Sequence, residues 1–166
     1  MYLAQDVENG CVALKTTDIQ KMKNSEECIS NEIDILSSIE TRQNIVNLLG
    51  FNRDEQLVVM EYCFNGNLKD YISRYREYFM DELDPETKEL YDEPLLHQSE
   101  SEEEKTQLSE IESESLIKTR RLLDWSYQIS KGLKYLSDIG IIHRDIALRN
   151  MLLANNNLVK LGDWLV

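Results

Sequence analysis

Apolar and polar positions change rhythm several times along the chain, and each rhythm predicts an element. Tyr2 to Val7 and Cys11 to Lys15 are short, largely apolar runs separated by Glu8-Asn9-Gly10, which reads as strand, turn, strand. Asn24 and Glu27 form a capping box for a helix running to about Ile39, with Cys28, Ile29, Ile33, Leu36 and Ile39 on one face. Glu32 falls within that apolar stripe, where a carboxylate needs a cation. Asn44 to Gly50 and Leu57 to Cys63 read as two strands around a polar turn, and Leu68 to about Tyr75 as a short helix. Arg121 to about Asp138 repeats Leu122, Trp125, Ile129, Leu133 and Leu136 at helical spacing, with Gly140 just past its end. Asn150 to Ala154 and Leu158 to Leu161 flank Asn155-Asn156-Asn157 as a second hairpin.

Residues 77 to 118 have no such rhythm. They hold both prolines and the run Ser99-Glu-Ser-Glu-Glu-Glu104, and they read as self-repelling, disordered chain. Charge sharpens this boundary. Of the 31 acidic and 18 basic residues, fifteen acidic and two basic lie between Glu77 and Glu114, giving −13 there; the remaining 16 and 16 cancel. The acidity therefore belongs to one segment, and no basic footprint for nucleic acid exists. Three cysteines and two histidines lack metal-ligand spacing, which argues against a zinc or disulfide framework. No apolar run is long enough to span a bilayer and the first residues lack a signal-peptide pattern, so the chain taken alone reads as cytoplasmic.

The densest chemistry is Ile141-Ile-His-Arg-Asp-Ile-Ala-Leu-Arg-Asn150. Ionisable groups crowded behind two isoleucines suggest a site on a rigid support rather than a surface loop. His143-Arg144-Asp145, with Asn150 five residues after the Asp, resembles the catalytic loop of protein kinases, and Arg149 points to the tyrosine-specific branch. Val12-Ala-Leu-Lys15 resembles the kinase strand that ends on a phosphate-binding lysine, and Glu32 stands where its helix partner would. Asn44 to Gly50 and the acidic insert resemble split receptor kinases of the fibroblast, vascular-endothelial and platelet-derived growth factor type.

That resemblance implies an α+β, partial protein-kinase-like fold and ATP-dependent phosphorylation of protein tyrosine, with ATP and Mg²⁺ as cofactors. It implies a small lobe over 1–60, a hinge and short helix over 61–76, a kinase insert over 77–118 and the start of a large lobe over 119–166. Asp145 would take or orient the substrate hydroxyl proton, with Arg149 beside it. Lys15 would hold phosphates, steered by Glu32. Met60 would be the gatekeeper, Glu61 and Cys63 would meet adenine through their backbone, and Leu152 would line the nucleotide site. Asn150 and Asp163 would hold magnesium. His143 would help build an internal apolar column. Tyr91-Asp-Glu-Pro94, once phosphorylated, would offer an SH2 domain a docking site.

The departures are equally specific. No Gly-x-Gly occurs and the resemblance begins at about the family's second strand, so the first strand and glycine-rich loop are expected to be missing. Asp163-Trp164-Leu165 stands where relatives read Asp-Phe-Gly. The stripe carrying Trp125 and Leu133 is expected to be partly exposed. A fragment truncated at both ends is expected to turn over little ATP, which leaves a non-catalytic binding or regulatory module as the alternative. Full-length relatives would be single-pass membrane receptors.

Overall fold

The computed structural model describes residues 2–6, 10–16, 33–90 and 117–162. Strands β1 (Tyr2–Asp6), β2 (Gly10–Thr16), β3 (Leu48–Asn52) and β4 (Leu57–Glu61) form an antiparallel sheet in the order β1-β2-β4-β3. Asp6 pairs with Gly10, whose φ of 73° turns the chain, as the Asn-Gly signal predicts. Residues 33–38 are helical (α1) and place Ile33 and Leu36 against Ala13, Val58 and Met60 of the sheet. The preceding capping box and Glu32 lie outside the described residues.

Helix α2 (Leu68–Tyr75) starts where predicted, because Asn67 accepts the Asp70 N–H at 2.9 Å and satisfies an orphan donor. Helix α3 (Thr119–Asp138) carries the long stripe. Trp125 is 2% exposed, edge-on to Tyr71, and Leu136 is buried, while Leu122 and Ile129 are half-buried, so the stripe is partly exposed, as expected, but not at Trp125. Leu133 is half-buried. The α2 helix supplies the cover that sequence reading did not assign. At the far end Gly140 (φ 76°) ends α3, and the Ile141 N–H returns to Leu136 C=O at 2.8 Å.

Residues 44–47 are not the first half of β3, as the apolar run suggests. Asn44 turns inward: its Nδ2 donates to Val159 C=O (2.9 Å), and its C=O accepts the Leu161 N–H (3.0 Å). Val46 N–H donates to Leu161 C=O at 2.9 Å. This segment therefore pairs with the hairpin of β7 (Met151–Leu153) and β8 (Val159–Leu161), joining the two halves of the fold. Gln128 of α3 closes the network, accepting the Val159 N–H at 2.7 Å.

The crossing is tight. A Cβ on Gly132 would stand 2.8 Å from Leu161 Cδ1 and 2.9 Å from the Asn44 carbonyl oxygen. Backbone cannot yield as a side-chain tip does, so Gly132→Ala is expected to cost about 1–3 kcal/mol despite its better helix propensity. Urea unfolding measures this, and a variant as stable as wild type would show that the crossing relaxes.

The acidic segment requires a correction. Sequence reading gives one disordered stretch over 77–118, but 77–90 and 117–118 have defined structure. β5 (Phe79–Met80) pairs in parallel with β6 (Ile117–Lys118). Glu82 is buried and accepts the Arg120 N–H at 3.0 Å, while Thr119 Oγ1 accepts the Glu82 N–H at 3.0 Å and donates to Asp81 at 2.9 Å. This is a reciprocal helix cap made between segments distant in sequence, which a local motif scan cannot see. Asp84 nucleates a turn, accepting the Glu86 and Thr87 N–H groups, and those bonds hold its carboxyl below the usual range. Residues 91–116, including Tyr91, lie outside the described residues.

Candidate active site

Helix α3 delivers the chain directly into residues 141–150, and β7 and β8 carry it onward, so the cluster sits between two rigid supports. Its backbone is fixed from several sides. His143 is 3% exposed, with Nε2 3.1 Å from Gly162 C=O. Arg144 adopts a left-handed conformation (φ 64°), which a non-glycine residue holds only where its surroundings impose it. Asn150 N–H closes a short turn onto Ala147 C=O at 2.9 Å, and Gly162 N–H donates to Asn150 C=O at 2.9 Å.

Three predicted residues converge. Arg149 Nη2 reaches both Asp145 oxygens at 2.5 and 2.8 Å. Asn150 Nδ2 donates to Asp145 Oδ2 at 2.7 Å and to its backbone carbonyl at 2.9 Å. The Asn150 hydrogen bond, reinforced by Arg149, holds the Asp145 carboxyl below the usual carboxylate range, against the smaller upward effect of desolvation. Asp145 is therefore a charged, oriented acceptor at neutral pH rather than a strong base. Asn150 spends its amide protons on Asp145, and Oδ1 accepts no hydrogen bond among the described residues. An uncommitted amide oxygen on a side chain 2% exposed suits a hard cation. Among the described residues no group of three or more His, Cys, Asp or Glu side chains forms a metal cluster.

Lys15, Met60 and Glu61 lie on the four-stranded sheet. Lys15 is half-buried on β2, with Glu32 outside the described residues. Met60 is buried at the end of β4, between Ala13 and Leu48 in register. Cys63 is buried; burial, reinforced by the Glu61 charge, pushes its thiol up to about 11, against a smaller opposing effect of Lys160. It is an inert, protonated thiol at neutral pH. Asn67, next to α2, bridges to Leu152 of β7. Asp163 lies outside the described residues, directly after Gly162.

Sequence reading missed the side chain of Glu61. Its Oε1 accepts the Asn47 N–H at 2.7 Å and faces Lys160 Nζ at 2.7 Å. Lys160 is 6% exposed in the middle of β8. A lysine inside the apolar run Leu158-Val-Lys-Leu161 was the available signal, since a buried ammonium requires a partner.

The family model described as protein tyrosine and serine/threonine kinase matches residues 2–165. Vascular endothelial growth factor receptor 1 of Homo sapiens is 32% identical over 169 residues, covering 83% of this chain and 13% of that receptor. Vascular endothelial growth factor receptor 3 of Danio rerio is 31% identical over 168 residues, covering 92% of this chain and 12% of that receptor. The receptor-like tyrosine-protein kinase kin-15 of Caenorhabditis elegans is 30% identical over 165 residues, covering 92% of this chain and 33% of that protein. The chain thus spans an eighth to a third of the length of these relatives.

Proposed function

The chain belongs to the protein tyrosine and serine/threonine kinase family, and we propose that it carries the catalytic loop and nucleotide wall of an ATP-dependent protein tyrosine kinase. The observation that carries this reading is the convergence of Arg149 and Asn150 on Asp145, with Asn150 Oδ1 left for a cation. Phosphoryl transfer depends on positioning and charge neutralisation more than on covalent chemistry. Asp145 orients the acceptor hydroxyl and receives its proton. Arg149 holds the Asp145 carboxylate in place. Asn150, with Asp163, holds Mg²⁺, which when bound neutralises phosphate charge. Lys15 holds phosphate oxygens, steered by Glu32. Met60, Leu152 and the backbone of Glu61 and Cys63 form the adenine wall. Tyr91, once phosphorylated, docks an SH2-type domain. The relatives are named as receptors; no helix among the described residues is long and apolar enough to cross a membrane. We assign the chain to the cytoplasmic side of such a protein.

The test separates binding from turnover. ATP with Mg²⁺ is expected to raise the melting temperature of the chain by several degrees at saturating nucleotide. Omitting Mg²⁺ or replacing Asn150 by Ala is expected to abolish most of that shift. A chain indifferent to Mg²⁺-ATP would sink the reading.

A further inference from the structure

Residues 63–67 leave β4 and are clasped onto the hairpin of β7 and β8. The Asn65 N–H donates to Leu153 C=O at 3.1 Å, and the Leu153 N–H returns to Gly66 C=O at 2.8 Å. Both bonds are backbone, open to many side chains. A third is not: Asn65 Nδ2 donates to Ala154 C=O at 3.2 Å. The Gly66 N–H closes a tight turn onto Cys63 C=O at 3.1 Å, with Gly66 at a φ of 70°. That bond occupies the Cys63 carbonyl and leaves its N–H as the group turned to a ligand. On β7, Met151 and Leu153 are buried and Leu152 is half-buried, so Leu152 points to the opposite side of the strand. The clasp therefore ties together the two surfaces assigned above to adenine, the Cys63 backbone and the Leu152 side chain. Asn65 is exposed and belongs to no part of the core.

We propose that Asn65 is a positioning residue for the nucleotide base, its amide fixing the spacing between the hinge backbone and Leu152. A flat ring bonded at its edge to Cys63 must rest its face on Leu152, so a shift of either surface weakens both contacts. Holding them at the bound spacing in advance removes an ordering cost from binding. Asn65 acts through Ala154 and touches no ligand itself. The identity of the base rests on the proposed function; the spacing role of Asn65 is a separate claim.

The experiment titrates the full chain with adenosine, Mg²⁺-ADP and Mg²⁺-pyrophosphate, followed by calorimetry. Asn65→Asp keeps the side chain's shape without its donor, and Asn65→Ala removes it. Each is expected to weaken adenosine and Mg²⁺-ADP by the same factor, about fivefold, the value of one net hydrogen bond, and to leave Mg²⁺-pyrophosphate unchanged. Asn65→Gln, which restores a donor, is expected to recover most of the loss. In phosphate transfer the KM for ATP is expected to rise by that factor with kcat unchanged, and the melting temperature to stay near wild type, since the bond is exposed. Wild-type affinity for adenosine in Asn65→Ala overturns the inference, and so does equal weakening of all three probes, which marks a general structural role. A wild-type chain that binds none of the probes overturns the proposed function as well, whereas nucleotide binding indifferent to Asn65 removes the positioning role alone.

Discussion

Asp145→Asn is expected to lower phosphoryl transfer by roughly 10²–10⁴ while the Mg²⁺-ATP thermal shift persists. The substitution keeps the side chain's shape and removes its charge. Asp145 now offers two oxygens to the donors Arg149 Nη2 and Asn150 Nδ2. An amide offers one oxygen and presents an NH₂ in place of the other, so Arg149 loses one of its two contacts and the charged acceptor for the substrate hydroxyl goes too. Because Asn150 is 2% exposed, the amide is expected to keep serving it and to loosen Arg149. The measurement is transfer of radiolabelled phosphate to a tyrosine peptide at high enzyme concentration, so that a low starting rate is no obstacle. A variant as fast as wild type would remove Asp145 from the chemistry.

The pH dependence follows from the same bonds. The folded-state pKa of Asp145 is depressed, so its interactions contribute fully above the ordinary carboxylate value near 4 and are lost as pH falls through the lower folded value. Between neutrality and that value the wild-type rate is expected to show no acid limb from Asp145.

The second large effect is on stability. Glu61→Ala strands Lys160, an ammonium 6% exposed whose remaining acceptor among the described residues is the Ile45 carbonyl at 3.4 Å. Removing one partner of a buried pair costs roughly 3–5 kcal/mol, and the quarter exposure of Glu61 points to the low end. For a chain of this size about 3 kcal/mol lowers the melting temperature by roughly 6–12 °C. The converse variant is expected to be milder, because Glu61 left by Lys160→Met can reach water. The double variant Glu61→Ala with Lys160→Met is expected to recover most of the loss. If Glu61→Ala alone leaves the urea midpoint unchanged, the pair behaves as a surface contact.

These two sites differ in how they could be read. The catalytic cluster is local: Asp145, Arg149 and Asn150 fall on one turn, so order and spacing already specify their meeting. The Asn67 cap and the Gly140 stop are local too, and α2 and the end of α3 appear where periodicity puts them. The Glu61–Lys160 pair, the Asn44–β8 pairing and the Glu82 cap on α3 join residues far apart in sequence, and nothing nearby encodes their partners. The apolar run at Asn44–Gly50 illustrates the limit. Its hydrophobicity correctly marked burial, but whether Ile45 pairs with β4 or β8 depends on which backbone groups the fold leaves open.

The clamp at the base of the acidic segment has a consequence for descent. With β5 paired to β6 and Glu82 seated on the start of α3, the entry and exit of residues 83–116 are held side by side. Length between ends held in this way is thermodynamically cheap, since doubling a closed loop costs only about 0.6 kcal/mol. Lineages can lengthen, shorten or rewrite the segment without renegotiating the helix that feeds the catalytic turn.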